Sequence, residues 1–211
     1  MGDDRFRHPF FARFYTWVAG AMDDAGLVDH RRALVSGLHG QVLEVGAGHG
    51  PNFPHYPRTV DHLTAVEPEP HLRRTARARI TAAPVPVTVV DGRAERLPFE
   101  AARFDAAVVA LVLCSVADQG TALREIHRVL VPGGRLRFLE HVRADTARMC
   151  RTQRWIDATL GPRLLGGCHC GRDTLTAIER AGFTLTVLDA FLFPEARTPH
   201  SFHVRGEATR P

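Results

Sequence analysis

The sequence predicts an α/β fold in which helices cover both faces of a Rossmann-like, doubly wound sheet. Four short apolar and β-branched runs lie at residues 41–46, 62–67, 85–90 and 104–112. Such continuous runs are typical of strands that are buried on both faces. Helical stretches at 69–82 and 118–130 separate the later runs, as a parallel sheet requires. Right-handed crossovers then place a binding crevice at the carboxyl ends of the strands.

The other segments extend this sheet and add helices to it. Further helices are predicted at 10–22, 30–38, 146–160 and 172–181. A fifth strand is predicted at 135–142, and two β-like runs at 183–193 and 200–208 end the chain. No helix separates these last two runs, so we expect them to pair as a hairpin.

The composition is that of one globular domain over residues 1–211 and limits its chemistry. All 27 basic residues are Arg, which excludes a P-loop lysine and a Schiff-base lysine. The net charge is +4, and the densest basic run lies on a predicted helix that has its own apolar stripe. This run consists of Arg73, Arg74, Arg77 and Arg79. We interpret it as a solvated helix face and expect no nucleic-acid partner.

Cysteine usage and hydropathy predict the compartment. The four cysteines are too few and too scattered for the disulfide framework of a secreted protein; they are Cys114, Cys150, Cys168 and Cys170. No signal peptide is visible, and no apolar run approaches the roughly 18 residues that span a bilayer. We therefore expect a cytoplasmic protein without stable membrane insertion.

A glycine-rich loop after the first strand is the strongest functional signal. Gly46, Gly48 and Gly50 let the backbone approach a ligand closely. A dinucleotide site of an NAD(P)-dependent oxidoreductase needs G-x-G-x-x-G/A, but here the sixth position is Pro51. Glu44 stands just before the loop and suits a cationic amino-acid cofactor better than a pyrophosphate. A purely structural strand-to-helix turn is the alternative.

Glu67 strengthens the cofactor interpretation. It ends the second strand, 17 residues after Gly50, where a carboxylate can accept hydrogen bonds from both hydroxyls of a ribose. The alternative is a favourable charge at a helix N-terminus, where Pro68 and Glu69 follow it. Neither motif proves turnover, so a non-catalytic cofactor-binding protein stays open.

Together the motifs resemble a known family. The chain contains, in order, VLEVGAGHG, AVEPEP, DGRAERLPF, FDAAVVALVLCSV and LREIHRVLVPGGRL. This pattern resembles class I S-adenosylmethionine-dependent methyltransferases of the ubiquinone/menaquinone C-methyltransferase type. The resemblance implies a seven-stranded sheet of order 3-2-1-4-5-7-6 with the last strand antiparallel. It also implies S-adenosyl-L-methionine as the cofactor.

The same resemblance implies a set of cofactor-binding residues. These are Glu44, Gly46, Ala47, Gly48, Gly50, Asn52, Glu67, Pro68, Gly92, Arg93, Ala94, Glu95 and Leu111. One position departs from the family pattern, because Arg93 replaces the Asp that usually accepts from the adenine amino group. Asp91, two residues earlier, is an uncertain substitute.

Further segments indicate a subgroup. GPNFPHYP, LVLCSV, FLEHV and GCHCGRDT resemble the membrane-associated alkyl-thiol methyltransferases of animals. This chain lacks their N-terminal hydrophobic anchor and is similar to a soluble bacterial relative. The resemblance implies a small-molecule acceptor, a thiol in the first place. C- or O-methylation of an aromatic or quinone-like molecule is the alternative.

The acceptor side has fewer candidates. Glu140 and His141 end the fifth strand at the expected mouth of the crevice and are the predicted base or orienting residues. Cys114 follows the fourth strand near the expected donor methyl group. Residues 1–38 are predicted to form N-terminal helices. The hypothesis is a lid with Phe11 and Tyr15 near the substrate, and the alternatives are an added helix packed on the sheet edge or a helix at a membrane surface. No metal site is predicted, because the residues of a C-x-C motif such as 168–170 cannot all reach one ion.

Overall fold

A computed structural model describes residues 9–159 and 167–211, with side chains from residue 16 onward. The strands are β1 (Gly40–Val45), β2 (Val60–Val66), β3 (Val87–Val90), β4 (Phe104–Ala110), β5 (Leu130–His141), β6 (Thr184–Leu192) and β7 (Phe202–Thr209). The helices are α1 (Pro9–Met22), α2 (Val28–Val35), α3 (Pro70–Arg79), α4 (Gln119–Val129), α5 (Ala147–Asp157) and α6 (Thr174–Arg180).

The sheet has the predicted topology. Its seven strands follow the order β3-β2-β1-β4-β5-β7-β6. β1 to β5 pair in parallel, and β7 is antiparallel to both β5 and β6. The fold class, the strand order and the terminal antiparallel pair are therefore confirmed.

Two hydrophobic cores, one on each side of the sheet, explain the continuous apolar strands. In β4, Ala107 and Val109 belong to one buried cluster, whereas Ala106 and Val108 belong to the other. Because successive strand residues point to opposite faces, only an unbroken apolar run can fill both cores.

The connection between β1 and β2 contains no α-helix. The glycine loop leads to a single 3₁₀ turn, Phe53–His55, and not to an α-helix. Pro51, Pro54 and Pro57 occupy this connection. Proline lacks a backbone N–H and disfavours helical backbone in the residue before it, so this spacing prevents a regular helix.

The N-terminal helices pack against the sheet as one bent segment. α1 and α2 are joined through Asp23–Leu27, where Gly26 has a φ of 111°. Arg137 of β5 donates to the carbonyl oxygens of Leu34 and Ala33 at the end of α2, which attaches this helix to the sheet. No helix in the described part of the chain has the length and apolar character needed to cross a bilayer.

Candidate active site

The glycine loop lies against the end of β2. The backbone N–H groups of Gly46 and Ala47 both donate to the carbonyl oxygen of Val66, at 2.8 and 3.0 Å. Gly46 has a φ of 69°, and a Cβ added there would lie 2.6 Å from a methyl carbon of Val112 in the β4–α4 loop. The loop therefore needs glycine at this position both for its backbone conformation and for its contact with β4.

Glu67 binds the glycine loop directly. One carboxylate oxygen accepts from the N–H of Gly48 at 2.8 Å, and the other accepts from the N–H of Glu69 at 2.9 Å. Burial raises the pKa of this carboxyl to about 7, against the opposing effect of the two hydrogen bonds. Each oxygen keeps a further lone pair for a ligand.

Glu44 anchors a buried polar network beside the loop. Its carboxylate accepts from Asn52 and from the hydroxyl of Tyr56, each at 2.8 Å. Burial raises its pKa to about 7, although both hydrogen bonds oppose this shift. Asn52 accepts in turn from Arg31 at 3.1 Å, and Arg31 pairs with Asp23 at 2.7 Å. The network thus links the N-terminal helices to the glycine loop.

The segment after β3 lies against the end of β2. Arg93 and Arg96 form a tight turn in which the Arg96 N–H donates to the Arg93 carbonyl. A Cβ at Gly92 would lie 3.0 Å from Val66, which holds this turn close to the end of β2. Ala94 is buried in the core, and Glu95 accepts from the N–H of Ala117.

Arg73 corrects the expectation that this basic run is a solvated helix face. Its side chain is only 13% exposed, so it does not belong to a solvated helix face. Its guanidinium donates to the carbonyl oxygens of Glu67 and Pro68 and pairs with Asp91 at 3.1 Å. Asp91 therefore forms an ion pair with the α3 helix.

The loop after β4 is held by Glu140. Leu111 begins this loop with a φ of 59°, a conformation that is rare for non-glycine residues. The Glu140 carboxylate accepts from the backbone N–H groups of Val112 and Leu113 at 2.9 and 3.0 Å and from that of Cys114 at 3.3 Å. Glu140 is completely buried, so its expected place at the mouth of the crevice is wrong. Its role as a base stays a prediction.

His141 lies in a cluster of histidines and thiols. Its Nδ1 is 3.5 Å from the Sγ atom of Cys168, and its ring centre is 4.2 Å from that of His203. Burial lowers the pKa of His141 to about 3, and the neighbouring His203 and His200 lower it further. The imidazole is therefore neutral, and its catalytic role stays a prediction.

The cluster also contains Cys114. The ligand-type atoms of Cys114, His141 and Cys168 all lie within 4.8 Å of one another. In contrast, Cys170 faces Asp157, which accepts from its backbone N–H at 2.9 Å and from its thiol at 3.4 Å. The C-x-C motif therefore places only one of its two thiols in the cluster.

Several residues of these networks were not predicted from the sequence, namely Asp23, Arg31, Tyr56, His200 and His203. Tyr56 and Arg31 reach Glu44 or Asn52 only through the tertiary fold. The H-x-x-H spacing of His200 and His203 was the one local signal. The side chains of Phe11 and Tyr15 lie outside the described residues, so the lid stays a prediction.

Known proteins resemble this chain. A family model described as "Methyltransferase domain" matches residues 43–138. Thiol S-methyltransferase TMT1A of Homo sapiens is 33% identical over 181 residues, which cover 76% of this chain and 68% of the relative. The ubiquinone/menaquinone biosynthesis C-methyltransferase UbiE of Syntrophotalea carbinolica is 29% identical over 71% of this chain and 60% of the relative.

Solved structures agree with the fold. A SAM-dependent methyltransferase of Thermotoga maritima superposes with a TM-score of 0.70 at 22% sequence identity. The superposition covers 95% of this chain and 98% of that protein. Both resemblances inferred from the sequence motifs are confirmed by these comparisons.

Proposed function

Because the chain belongs to the class I S-adenosylmethionine-dependent methyltransferases, close to the alkyl-thiol subgroup, we propose that it methylates the sulfur of a small thiol. S-adenosylmethionine is the cofactor, and it supplies a methyl group carried on a positively charged sulfonium. The donor side of the site suits a cation. Burial raises the pKa of the Glu44 and Glu67 carboxyls to about 7, and a cationic ligand beside them would favour their ionised forms.

The residues of the donor side have distinct tasks. We assign the ribose hydroxyls to Glu67, whose carboxylate is oriented by Gly48 and Glu69. We assign the ammonium group of the amino-acid part to the side of Glu44, whose carboxylate Asn52 and Tyr56 orient. These hydrogen bonds set the position of each carboxylate before the donor binds, which reduces the ordering that binding requires.

The observation that carries the thiol proposal is the chemistry of the acceptor side. It presents the thiols of Cys114 and Cys168 and the imidazole of His141. The neighbouring carboxylate of Glu140 is already occupied by three backbone N–H groups. Methylation of carbon or phenol needs a positioned base. A thiol with a pKa of about 8.5 needs only modest help to ionise.

The reaction then depends mainly on alignment. The acceptor sulfur forms a bond to the methyl carbon while the bond from that carbon to the sulfonium breaks, and the thiol proton leaves to solvent. The positive charge disappears in this step, so water exclusion and in-line placement provide most of the acceleration. Glu140 contributes by fixing the loop from Leu111 to Cys114 that separates the donor side from the cluster.

A panel assay tests the proposal. Donor consumption is measured with alkyl thiols, phenols, a catechol and amines, and methylated products are identified by mass spectrometry. We expect thioether products from the thiols, and no product with a Gly46→Ala variant as the donor-site control. Inert thiols together with turnover of a phenol or catechol would show that the acceptor is an aromatic molecule instead.

A further inference from the structure

Three soft ligand groups meet on the acceptor side, although they come from distant parts of the chain. Cys114 follows β4, His141 ends β5, and Cys168 lies in the loop before α6. Their Sγ and ring-nitrogen atoms lie within 4.8 Å of one another, and the distance from Cys168 Sγ to His141 Nδ1 is 3.5 Å. Two thiols and one imidazole at such distances are the donor set of a thiophilic metal.

The distance of 3.5 Å between Cys168 Sγ and His141 Nδ1 agrees with tetrahedral coordination of one ion. Zinc binds cysteine sulfur at about 2.3 Å and histidine nitrogen at about 2.0–2.1 Å, so a sulfur and a nitrogen on one tetrahedral ion lie about 3.5 Å apart. We propose that Cys114, His141 and Cys168 bind one zinc ion and leave its fourth position open. Three protein ligands with an open position are typical of catalytic zinc, whereas structural zinc has four.

The surrounding hydrogen bonds fix the backbone around the ligands. The N–H of His169 donates to the carbonyl oxygen of Cys114 at 2.8 Å, which joins the Cys168 loop to the loop after β4. Glu140 accepts from the N–H of Cys114 at 3.3 Å. Such outer contacts orient the ligands of a metal site.

The remaining cysteines provide internal controls. Cys170 belongs to the same C-x-C motif but its thiol contacts Asp157. The thiol of Cys150 in α5 donates to the carbonyl oxygen of Ala144 at 3.1 Å. Neither side chain is part of the proposed site, so the same Cys-to-Ser change can be made inside and outside it.

The open coordination position points to a catalytic role for the ion, and this role rests on the proposed function. An acceptor thiol that enters the fourth position would lose its proton to solvent, because coordination to zinc deprotonates a thiol. The chain would thereby generate a thiolate without a protein base, in agreement with the occupied carboxylate of Glu140. The two protein thiols release their protons when the ion binds.

Metal titration of the full chain tests the site without any turnover. Metal-free protein is kept reduced with a phosphine. It is titrated with Zn²⁺ in competition with a chromophoric chelator, and separately with Co²⁺ while the visible absorption spectrum is recorded. We expect one equivalent of each ion, and Co²⁺ bands typical of a tetrahedral thiolate site. Cys168→Ser, Cys114→Ser and His141→Gln should lower affinity on the order of 100-fold or more, whereas Cys150→Ser and Cys170→Ser should retain it.

The outcomes separate the metal site from the acceptor. Less than a stoichiometric amount of bound metal in folded protein, or equal binding by Cys168→Ser, would overturn the site. Cys168 is only partly buried, so this variant remains informative if Cys114→Ser fails to fold. A third outcome is that Co²⁺ binds but its spectrum does not change when thiols are added, and that no thioether forms. This outcome would overturn the thiol acceptor but not the metal site.

Discussion

The two ends of the crevice are built on opposite principles. The donor end places two buried carboxylates, Glu44 and Glu67, beside a glycine loop. The acceptor end gathers two thiols and histidines around His141. Burial raises the pKa of the carboxyls at both ends to about 7, but the carboxylate of the acceptor end, Glu140, is occupied by three backbone N–H groups and lies beside soft, uncharged side chains.

This difference indicates what each end recognises. Buried carboxylates favour a cationic ligand, because a cation stabilises their ionised form. A sulfonium donor is such a cation. Soft neutral groups favour a polarisable partner, as expected for sulfur or zinc. The ends meet where Gly46 contacts Val112, two residues before Cys114.

The largest expected effect comes from disrupting the contact between Gly46 and Val112. Gly46→Ala would require an added methyl group 2.6 Å from Val112 and a side chain at a φ of 69°. Overpacking and left-handed strain together should lower the free energy of unfolding in urea by about 3 kcal/mol, and the displaced loop should bind the donor more weakly by calorimetry. Gly37→Ala is the matched control, because Gly37 has a φ of 70° and nothing within 4 Å. Equal affinity for both variants would contradict the packing argument.

The next effect concerns the link from the donor end to the N-terminal helices. Arg31→Met would leave the partly buried carboxylate of Asp23 and the amide of Asn52 without their donor. We expect a loss of about 2–3 kcal/mol in the free energy of unfolding in urea, together with weaker donor binding. Arg32→Met serves as the control, since its exposed pair with Asp29 contributes less than about 1 kcal/mol. Similar losses in both variants would argue against the buried network.

A smaller effect tests the charge of the donor end. Glu67→Gln removes the negative charge but keeps the shape of the side chain. We expect donor affinity to fall about tenfold, because hydrogen bonds to a charged group contribute about 1.5–3 kcal/mol. Asp61→Asn, at an exposed position in the same strand, should bind the donor as the original chain does. An unchanged affinity of Glu67→Gln would refute the ribose role.

The smallest effect is a pH dependence of donor binding. The pKa of Glu67 is raised to about 7 by burial, and a cationic donor favours the ionised form. Affinity should therefore rise several-fold between pH 6 and pH 8, with proton release that calorimetry detects in buffers of different ionisation enthalpy. Glu67→Gln should flatten this rise. Proton uptake on binding would contradict the assignment.

The stability of the donor-free protein should depend on pH in the opposite direction from donor affinity. A carboxyl with a raised folded-state pKa binds more protons folded than unfolded, so its contribution to stability is lost as pH rises from about 4.5 towards 7. Urea unfolding of the donor-free protein across this range measures the loss. Added donor should reduce it, because the bound cation stabilises the ionised carboxylates.

Much of the donor end could be predicted because its residues are close in sequence. Glu44 to Gly50 form one strand–loop unit, and Glu67 ends the neighbouring parallel strand, so strand pairing alone brings them together. The order of the strands came from the family resemblance and agreed with the structure. The glycine loop leads to a 3₁₀ turn and not to an α-helix, because the three prolines in that connection prevent a regular helix.

The acceptor end could be predicted only in part. Cys114 and His141 were identified by their positions at the ends of strands, but the sequence did not predict the direction of each side chain. Glu140 and His141 are adjacent, yet one carboxylate turns into the interior to bind a loop while the imidazole faces Cys168. Alternation along a strand predicts that neighbours diverge, but not which neighbour faces the site.

By itself, therefore, the sequence determined the α/β class and the local frame of the donor site, since these depend on periodicity, glycine conformation and nearby residues. Its resemblance to a known family implied the strand order and the cofactor. Only the tertiary structure decided the buried network from Asp23 to Glu44 and the meeting of Cys114, His141 and Cys168. The physical reason is loop closure. Residues 21 to 54 positions apart meet only after strand order and crossovers have placed their segments side by side.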